Sequence, residues 1–568
     1  MTMKFNKILL PIIVAVCGLA ASSCYNLDLN PLSEGSSENW FTTEDEFEAS
    51  LKNMYQSGMW TADSESWTDD FVQRQILSSF ANATVTGQTT DVVDYWENKY
   101  KGIGRANVVL SNIQRGLDSG IPQRNIDRFE AEAYFLRAAF YSMLIEKFGD
   151  VVYVDNSVSI EEALVMKRTP KSTLIPLVYA DYDKAAAGLP EATDYYASRA
   201  TKGTALAMKA RFALRMGDWR TAAQAAKDCM DLEVYELEPS YEKLFLQTTK
   251  VSKEYILAFP RSVELGYYYP AWEILSRLGS GNAWWCPSWD LLASYTCTDG
   301  KPIDESPLYD KNDPFKNRDP RCSMTIVPFG SMHCGYEYNP HPQVLEVQDK
   351  NGKKASNKDS RGVFQYASFN GLLWKKGVDE SWVDNGRKAE PTQIVIRYAD
   401  VLLMYAEAKI ELNEIDESVL KAINKVRSRA YSTTYDKTSA YPAVTTTNRL
   451  ELRNIVRNER RMEFANEGLR YSDIIRWKIA SKVMSKKNYG MLYPAQSVVE
   501  KLINQGLPWF WPMTPEIDEE GIPDFTAMEK KGYIQALSSK KWDDRQYLWP
   551  IPSKEILINN NLTQNTGY

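Results

Sequence analysis

Apolar residues recur every three or four positions over much of the chain, which predicts a protein built mainly from α-helices. The clearest run is Phe129, Ala133, Leu136, Phe140 and Leu144. These residues share one face of a long helix, and Gly149 is suited to end it. Shorter runs predict a first helix over residues 44–55 and another that begins at Ser172 and stops at Gly188.

Two stretches have the pattern of antiparallel helix pairs of the tetratricopeptide kind. Residues 201–231 divide at Gly217, and residues 398–430 turn near Asn413. Small residues fall where the two helices of each pair would touch, at Ala210, Ala222, Ala226, Ala406 and Ala422. Stacked pairs of this kind form a rigid solenoid. We therefore predict a mainly α fold with little β structure, in which tetratricopeptide-like helix pairs form an interrupted α-solenoid.

The middle of the chain loses the helical period and is rich in glycine, proline and aromatic residues, which predicts a loop-rich insert. The predicted segments are a signal peptide at 1–23, a tether at 24–37, an N-terminal helical part at 38–233, the insert at 234–391 and a C-terminal helical part at 392–568. We expect residues 24–568 to form one compact unit.

The N-terminus has the pattern of a lipoprotein export signal. Lys4 and Lys7 precede an apolar run that is too short to span a bilayer, and small residues lead into Cys24. The leucine that is usual three positions before the cysteine is absent. We predict that Cys24 is acylated and that its acyl chains anchor the protein. The alternative is an ordinary secretory signal with a chance cysteine.

Residues 450–478, called here the signature segment, predict a helix with two carboxylates on its apolar face. These carboxylates are Glu459 and Glu463. Like charges four positions apart repel each other, and burying them is costly unless cations pair with them. We interpret them as part of a buried structural ion network, with partners available from the same helix: Arg453, Arg457, Arg460 and Arg461. Gly468 is predicted to cap this helix, and a second helix follows.

The composition is that of a globular chain and argues against several functional classes. Hydrophobic residues make up 44% and charged residues 25%, and the formal net charge is −7. The chain therefore lacks the excess of basic residues that is typical of nucleic-acid-binding proteins. The two histidines, His333 and His341, are too few for a histidine-based triad or a multi-histidine metal site. Residues 310–313 are rich in oxygen ligands but lack the later Gly and Glu of a calcium loop. We expect no metal and no other cofactor.

Five of the seven cysteines lie beyond the signal and its acylated residue: Cys229, Cys286, Cys297, Cys322 and Cys334. Their spacing matches no zinc pattern. Disulfides between Cys286 and Cys297, or between Cys322 and Cys334, are compatible with an exported protein. Buried free thiols are equally compatible, and the sequence leaves both alternatives open.

Several stretches resemble the SusD/RagB family, the nutrient-binding lipoproteins of Gram-negative outer membranes. RNERRMEFANEGLRYSDIIRW in the signature segment and the closing YLWPIPSKEILINNNLTQNTGY are similar to the signature and terminal segments of that family. Further similar stretches are YNLDLNP after Cys24, EAYFLRAAFYSMLIEKFGDV in the long helix, and PSWDLLASYTCTDGKPI and NRDPRCSMTIVP in the insert. The resemblance therefore covers the whole chain.

The resemblance implies a mostly helical lipoprotein with a loop-rich second half, anchored in the outer membrane and exposed at the cell surface. It implies a partner, a SusC-like TonB-dependent barrel, over which the protein would act as a hinged lid. The ligand would be a nutrient oligomer, most commonly a glycan, although peptide-binding members look alike in sequence. Binding and closure would proceed without catalysis.

Aromatic side chains are concentrated in the insert near Gly279 and Gly281. The sequence there has no helical period that would place them on a buried face, and we take them as candidate ligand contacts. The candidates are Tyr267, Tyr268, Trp272, Trp284, Trp285 and Trp289 from the insert, Trp67 with Asp69 or Asp70 from an N-terminal loop, and Trp382 with Trp374 from a second loop. Tryptophan and tyrosine offer rigid faces that stack on the C–H faces of sugars. For each ring the alternative is packing of the insert on the helices.

Two other functional classes are compatible with the sequence. A lipid-anchored glycoside hydrolase would need two carboxylates roughly 5–10 Å apart in a cleft. A scaffold would use its helix pairs only to organise other proteins. Ligand binding without turnover separates a binding protein from the hydrolase, and binding of any small oligomer separates it from the scaffold.

Overall fold

The computed structural model describes residues 40–156, 158–191 and 196–568, and α-helices dominate this part of the chain. The predicted signal peptide, Cys24 and the tether lie outside the described residues. The helices are α1 Glu44–Lys52, α2 Thr90–Ser111, α3 Ile113–Asp118, α4 Gln123–Phe148, α5 Ile160–Ala163, α6 Lys171–Gly188, α7 Lys202–Met216, α8 Trp219–Met230, α9 Tyr241–Leu244, α10 Trp289–Ser294, α11 Pro320–Thr325, α12 Tyr398–Glu411, α13 Glu417–Ala430, α14 Arg449–Phe464, α15 Arg470–Arg476, α16 Ala480–Val483, α17 Ala495–Lys501, α18 Thr526–Lys530 and α19 Ser553–Ile558.

The longest helices form a stack in which each helix packs against the next. Helix α4 lies between α2 and α6, α6 contacts α7, and α7 pairs with α8. Helix α12 then packs against α8 and is joined by α13 and α14. Both predicted helix pairs are present, and the alanines predicted at their contacts are buried. The prediction of a mainly α fold on an interrupted solenoid is confirmed.

Residues with left-handed backbone set the turns of both pairs. Gly217 ends α7 with a φ of 77°, and the Asp218 side chain accepts a hydrogen bond from the Thr221 N–H to start α8. Asn413 has a φ of 57° after α12. Glycine and asparagine adopt this conformation at the least cost, which is why both turns could be located from the sequence.

Three predicted helix ends differ from the structure. Helix α1 ends at Lys52 instead of residue 55. Helix α6 is capped by Pro170 rather than beginning at Ser172, because proline tolerates the first turn of a helix. Helix α14 ends at Phe464, so the prediction that Gly468 caps it is wrong. Gly468 lies in the next loop with a φ of 73°, and a Cβ there would lie 2.6 Å from the carbonyl oxygen of Asp63. Close approach of another segment requires this glycine.

β structure in the described residues consists of short antiparallel pairs. The strands are β1 Phe71–Val72, β2 Val151–Val152, β3 Arg168–Thr169, β4 Tyr255–Phe259, β5 Tyr269–Pro270, β6 Cys286–Pro287, β7 Ser331–His333, β8 Tyr336–Tyr338, β9 Glu346–Gln348, β10 Lys354–Ser356, β11 Lys388–Ala389, β12 Gln393–Arg397, β13 Lys487–Gly490, β14 Glu516–Ile517, β15 Pro523–Asp524 and β16 Gln535–Ser539. The pair β4–β12 aligns Phe259 with Gln393 and Tyr255 with Arg397. The insert therefore leaves the helical stack and returns to it at neighbouring positions.

The insert has a hydrophobic core that it shares with residues near the C-terminus. Trp289 and Trp374 of the insert pack in one cluster with Phe510 and Trp511. Met462 of α14 belongs to the same cluster and joins it to the helical stack. Part of the C-terminal third of the chain therefore covers the insert instead of extending the solenoid.

Helix α14 carries the two buried carboxylates that its pattern predicts. The ion pairs are Glu463 with Arg321, Arg397 and Arg429, and Glu459 with Arg321 and Arg427. Burial alone would raise the pKa of Glu463, but the three guanidinium groups outweigh it and hold this pKa well below its usual range. The predicted buried ion network is therefore present, and its contribution to folding stability stays a prediction.

The partners in this network are not the ones predicted. The arginines of α14 bind other carboxylates: Arg453 and Arg457 bind Glu411, Arg460 binds Asp400 and Asp473, and Arg461 binds Asp69 and Asp70. Glu459 and Glu463 face the elements packed against the helix, so their cations come from the insert, β12 and α13. The network thereby ties these elements to α14.

Candidate ligand-binding site

Two strand pairs hold the aromatic loop, residues 269–287: one joins it to the N-terminal loop, residues 60–73, and the other joins it to residues 388–389. Strand β6 pairs with β1, and β5 pairs with β11. Between them the aromatic loop folds back on itself: the Ala283 N–H donates to the Leu275 carbonyl oxygen at 2.9 Å, and the Trp285 N–H donates to that of Glu273 at 3.0 Å. Gly281 is required here, because a Cβ would lie 2.3 Å from the Leu275 oxygen.

A cavity of about 390 Å³ lies where the aromatic loop, the N-terminal loop and the signature segment meet. The aromatic and apolar side chains in its wall are Phe71, Phe245, Tyr269, Ile274, Trp285, Trp374 and Trp382. Polar side chains in the wall include the amides of Gln73 and Gln393 and the guanidinium of Arg261. Trp285 remains partly exposed and packs edge-to-face on Phe71, with ring centroids 6.3 Å apart. An apolar wall with a few polar groups is the usual composition of a small-ligand pocket.

Two glutamates line the cavity in opposite protonation states. Glu65 accepts a backbone N–H at 2.9 Å, while its buried Oε2 has no hydrogen-bond partner. Burial and the nearby Asp70 charge raise the pKa of Glu65 to about 8. Burial would raise the pKa of Glu467 as well, but its ion pairs with Arg397 and Lys376 outweigh that effect and lower it. At neutral pH, Glu65 is therefore a neutral donor and Glu467 an anion.

Glu65→Gln is expected to flatten the dependence of stability on pH. The unfolded state loses the Glu65 proton near pH 4.5, whereas the folded state keeps it until about pH 8. The free energy of unfolding of the wild type therefore falls as pH rises through this window, by up to about 1.4 kcal/mol per pH unit. Glutamine has no such proton to lose. Thermal unfolding of both proteins across this window measures the difference, and parallel curves would contradict the raised pKa.

Arginines and aromatic rings form a cluster that includes Arg74 and Trp284, the chain neighbours of the wall residues Gln73 and Trp285. This arginine–aromatic cluster consists of Arg74, Arg277, Trp284, Arg361, Phe364, Tyr366, Phe369 and Tyr493. The guanidinium of Arg74 lies 5.8 Å from the centre of the Trp284 ring and 5.4 Å from that of Tyr366. The guanidinium of Arg361 lies 4.1 Å from Phe369 and 4.0 Å from Tyr493. Cations are thus fixed over aromatic faces.

Four of the predicted ligand contacts lie at the cavity or its rim. One of them, Trp374, is in the wall but is only 1% exposed, because it packs in the core of the insert. Trp285 and Trp382 are in the wall, although the Trp382 side chain is only 2% exposed and its Nε1 donates to Gln247 at 2.7 Å. The Tyr267 hydroxyl donates at 3.3 Å to Gln393, which lines the cavity. Among these candidates, Trp285 offers the most accessible ring to a ligand inside the cavity.

Three further candidates have rings that are open or partly open to solvent. Tyr268 is 37% exposed and Trp272 is 46% exposed. Each carries a cation over its ring, with Lys388 at 5.1 Å from Tyr268 and Arg387 at 5.2 Å from Trp272. Trp284 is partly buried in the arginine–aromatic cluster. These rings extend the aromatic surface outside the cavity.

Two predicted contacts are core residues, and the prediction is corrected for them. Trp67 is 6% exposed and packs on Phe80, Tyr471 and Trp549. Trp289 is 1% exposed, and its Nε1 donates to the Asn370 carbonyl oxygen at 2.8 Å. Asp69 and Asp70 are paired with Arg461 and Arg470 in the buried network. None of these four side chains presents a free face to a ligand.

The sequence reasoning missed several wall residues because they come from other segments: Glu65, Phe71, Phe245, Lys376 and Glu467. The signature segment was interpreted as purely structural, yet residues 466–468 line the cavity. A signal was available for the arginine–aromatic cluster, although not for these wall residues: residues 361–369, RGVFQYASF, combine arginine with three aromatics beside a glycine. That is the same kind of crowding that singled out the aromatic loop.

The described residues hold no group of His, Cys, Asp and Glu arranged to bind a metal ion. The five cysteines are buried and unpaired, so neither of the two candidate disulfides forms. Within the described part of the chain, no helix is both long and apolar enough to cross a bilayer.

Comparison with known protein families decides the classification. The model of the SusD family matches residues 242–568, more than half of the chain. The chain belongs to the SusD/RagB family. A second family model, described as starch-binding associating with outer membrane, matches residues 27–214 of this SusD-like chain.

Relatives match the SusD-like chain over nearly its full length. SusD-like protein P2 of Formosa agariphila is 25% identical over 582 aligned positions, covering 97% of this chain and 98% of that protein. The crystal structure of a SusD-like carbohydrate binding protein from Bacteroides fragilis is 29% identical with a TM-score of 0.74, covering 92% and 99% of the two chains. A laminarin binding SusD-like protein shares the fold at 19% identity and a TM-score of 0.59, covering 92% and 99%. The resemblance predicted from the signature segment is confirmed.

Proposed function

We propose that this SusD-family protein binds an oligosaccharide at the cavity and delivers it to a SusC-like TonB-dependent transporter, without breaking a bond. The observation that carries the proposal is the aromatic wall of the cavity, where Trp285 and Tyr269 remain partly exposed beside Gln73 and Gln393. Sugar rings offer apolar faces to such rings and hydroxyls to such amides. Solved relatives named as carbohydrate binding and laminarin binding support the same ligand class.

Localisation at the outer membrane is part of this proposal. It is supported by the lipoprotein pattern that ends at Cys24 and by the family description, which includes association with the outer membrane. An acyl anchor followed by the polar residues 25–37 would leave the folded body free to move as a lid over a membrane barrel. The SusC-like partner follows from the family resemblance.

A glycoside hydrolase is the second candidate, because two carboxylates with divergent pKa values line one cavity. Glu65 is neutral and Glu467 is ionised at neutral pH, the combination that acid–base catalysis uses. Binding is favoured over hydrolysis because Glu467 is already neutralised by Arg397 and Lys376. Mass spectrometry of an oligosaccharide after prolonged incubation distinguishes the two, since shortened products would favour the hydrolase.

A screen of the purified chain on a glycan array, followed by calorimetry, tests the proposal. We expect binding of an oligosaccharide that is recovered intact. A pool of peptides is screened alongside, because peptide-binding members of the family look alike in sequence. Binding to peptides alone would overturn the glycan assignment, and binding to neither would overturn the proposed function.

Trp285→Ala locates the ligand in the cavity. Loss of a stacking ring is expected to weaken binding by about tenfold or more, about 1.4 kcal/mol. The matched control is Tyr435→Ala, which removes a ring that is 38% exposed and lines no part of the cavity. Calorimetry gives the affinities, and thermal unfolding verifies both folds. Unchanged affinity for Trp285→Ala would place the ligand elsewhere.

A further inference from the structure

The arginine–aromatic cluster contains guanidinium groups whose hydrogen-bonding capacity is unused. The buried Nε and one terminal nitrogen of Arg361 have no hydrogen-bond partner, and neither has the buried Nε of Arg74. The other contacts of Arg74 are donations to the backbone carbonyl oxygens of Asn282 and Tyr366. In the part of the chain that the structure describes, neither arginine forms an ion pair. Three nitrogens, which together carry four N–H groups, are therefore without an acceptor in the described part of the protein.

Many buried arginines elsewhere in the described residues meet carboxylates, as Arg397 does at 2.6 Å from Glu254 and 2.7 Å from Glu463. Arg318 has no ion pair in these residues either, but backbone carbonyl oxygens accept from its Nε and both of its terminal nitrogens. In the cluster, burial lowers the pKa of Arg361 to about 10, and the Arg74 charge acts in the same direction. The carboxylate of Asp359 accepts the backbone N–H groups of Arg277 and Leu278, and its charge acts on Arg277. It forms no ion pair with Arg361 or Arg74. Unpaired cations held close together favour a bound anion.

The aromatic members of the cluster give this cationic site a surface for a sugar ring. Tyr366 is 47% exposed and Tyr493 is 45% exposed. The guanidinium of Arg361 is held in contact with the Tyr493 ring, so its position is fixed before a ligand arrives. The buried Nε1 of Trp284 also has no partner and adds a neutral donor beside the cations. A ring face and fixed donors are therefore presented together.

We propose that the arginine–aromatic cluster binds the acidic group of an anionic oligosaccharide, either a carboxylate or a sulfate ester. Arg361 and Arg74 donate to the oxygens of the anion, Trp284 donates to a neighbouring oxygen, and Tyr493 supports the sugar face. Planar guanidinium groups suit both kinds of anion. This inference rests on the proposed function and narrows its ligand class, because a neutral glycan leaves these donors unpaired.

Matched oligosaccharides test the requirement for charge. A uronate oligosaccharide is compared with its methyl ester, and a sulfated oligosaccharide with its desulfated form, by calorimetry at low salt. We expect at least one charged member to bind about tenfold or more tightly than its neutral counterpart, about 1.4 kcal/mol. Raising the ionic strength should weaken the charged ligand selectively, because salt screens ionic contacts. The pair that discriminates identifies the carboxylate or the sulfate.

Substitution of Arg361 tests the location. Arg361→Gln removes the charge from a side chain without an ion pair to lose, so the fold should be retained, and affinity for the charged ligand should fall about tenfold or more. Arg361→Lys keeps a charge and should retain part of the affinity. The control, Arg220→Gln, removes an exposed arginine that pairs with Glu414 and should leave the affinity unchanged.

Equal binding of the charged and neutral members of both pairs overturns this inference while the proposed function stands. A charged ligand that binds Arg361→Gln as tightly as the wild type also overturns it. If no oligosaccharide binds at all, both the inference and the proposed function fail.

Discussion

We expect Glu463→Ala to lower the free energy of unfolding by about 3–5 kcal/mol. The Glu463 side chain is fully buried and is contacted by three guanidinium groups, those of Arg321, Arg397 and Arg429. Its removal leaves these cations without a shared counter-ion in a place that water does not reach, and it also leaves a void. Chemical denaturation followed by circular dichroism measures the loss.

Glu451→Ala is the matched control, because Glu451 is an exposed residue of the same helix. We expect it to change the free energy of unfolding by roughly 0.5 kcal/mol. If Glu463→Ala is as stable as this control but loses ligand binding, the interpretation of the carboxylate as structural is wrong.

Gly468→Ala is expected to destabilise the protein by roughly 2–4 kcal/mol and to disturb the cavity. Left-handed backbone alone costs a residue with a side chain about 1–2 kcal/mol, and φ at Gly468 is +73°. The added Cβ would also lie 2.6 Å from the Asp63 carbonyl oxygen and 2.8 Å from the Ala62 Cβ. All three residues line the cavity, so ligand affinity should fall together with the melting temperature.

Gly506→Ala separates the two contributions. Gly506 has a φ of +72°, and a Cβ there would meet nothing within 4 Å. This variant carries the backbone cost without the steric overlap, so we expect a loss of about 1–2 kcal/mol. Equal losses in the two variants would mean that contact with the N-terminal loop contributes nothing to the requirement for Gly468.

The helical framework could be predicted because its signals are local. Gly217 and Asn413 mark turns through their own backbone preferences, and buried alanines mark the contacts within each pair. The burial of Glu459 and Glu463 could also be predicted, because both lie on the apolar face of one helix. The partners of these carboxylates could not be predicted, because Arg321, Arg397 and Arg429 lie in three other segments that only the tertiary fold brings together.

The candidate site was harder to predict because the aromatic loop has no regular period. Trp285 and Trp289 are neighbours in the same crowded stretch, yet Trp285 lines the cavity and Trp289 is in the core. The difference arises from residues far along the chain, since Phe510 and Trp511 cover Trp289. Composition therefore indicated the region of the site, and long-range packing decides which rings a ligand can reach.

The strand pair β4–β12 also has a consequence for how such proteins can diversify. The pair places the two ends of residues 260–392 side by side. This whole stretch can therefore be exchanged for another without changing the path of the chain through the helical stack. A replacement for this stretch must supply a strand that pairs with β1, cations equivalent to Arg321 and Lys376 for the buried glutamates, and an apolar face for Trp511. Where these requirements are met, the remaining loops can vary in sequence. New ligand preferences can then evolve while the helical stack stays unchanged.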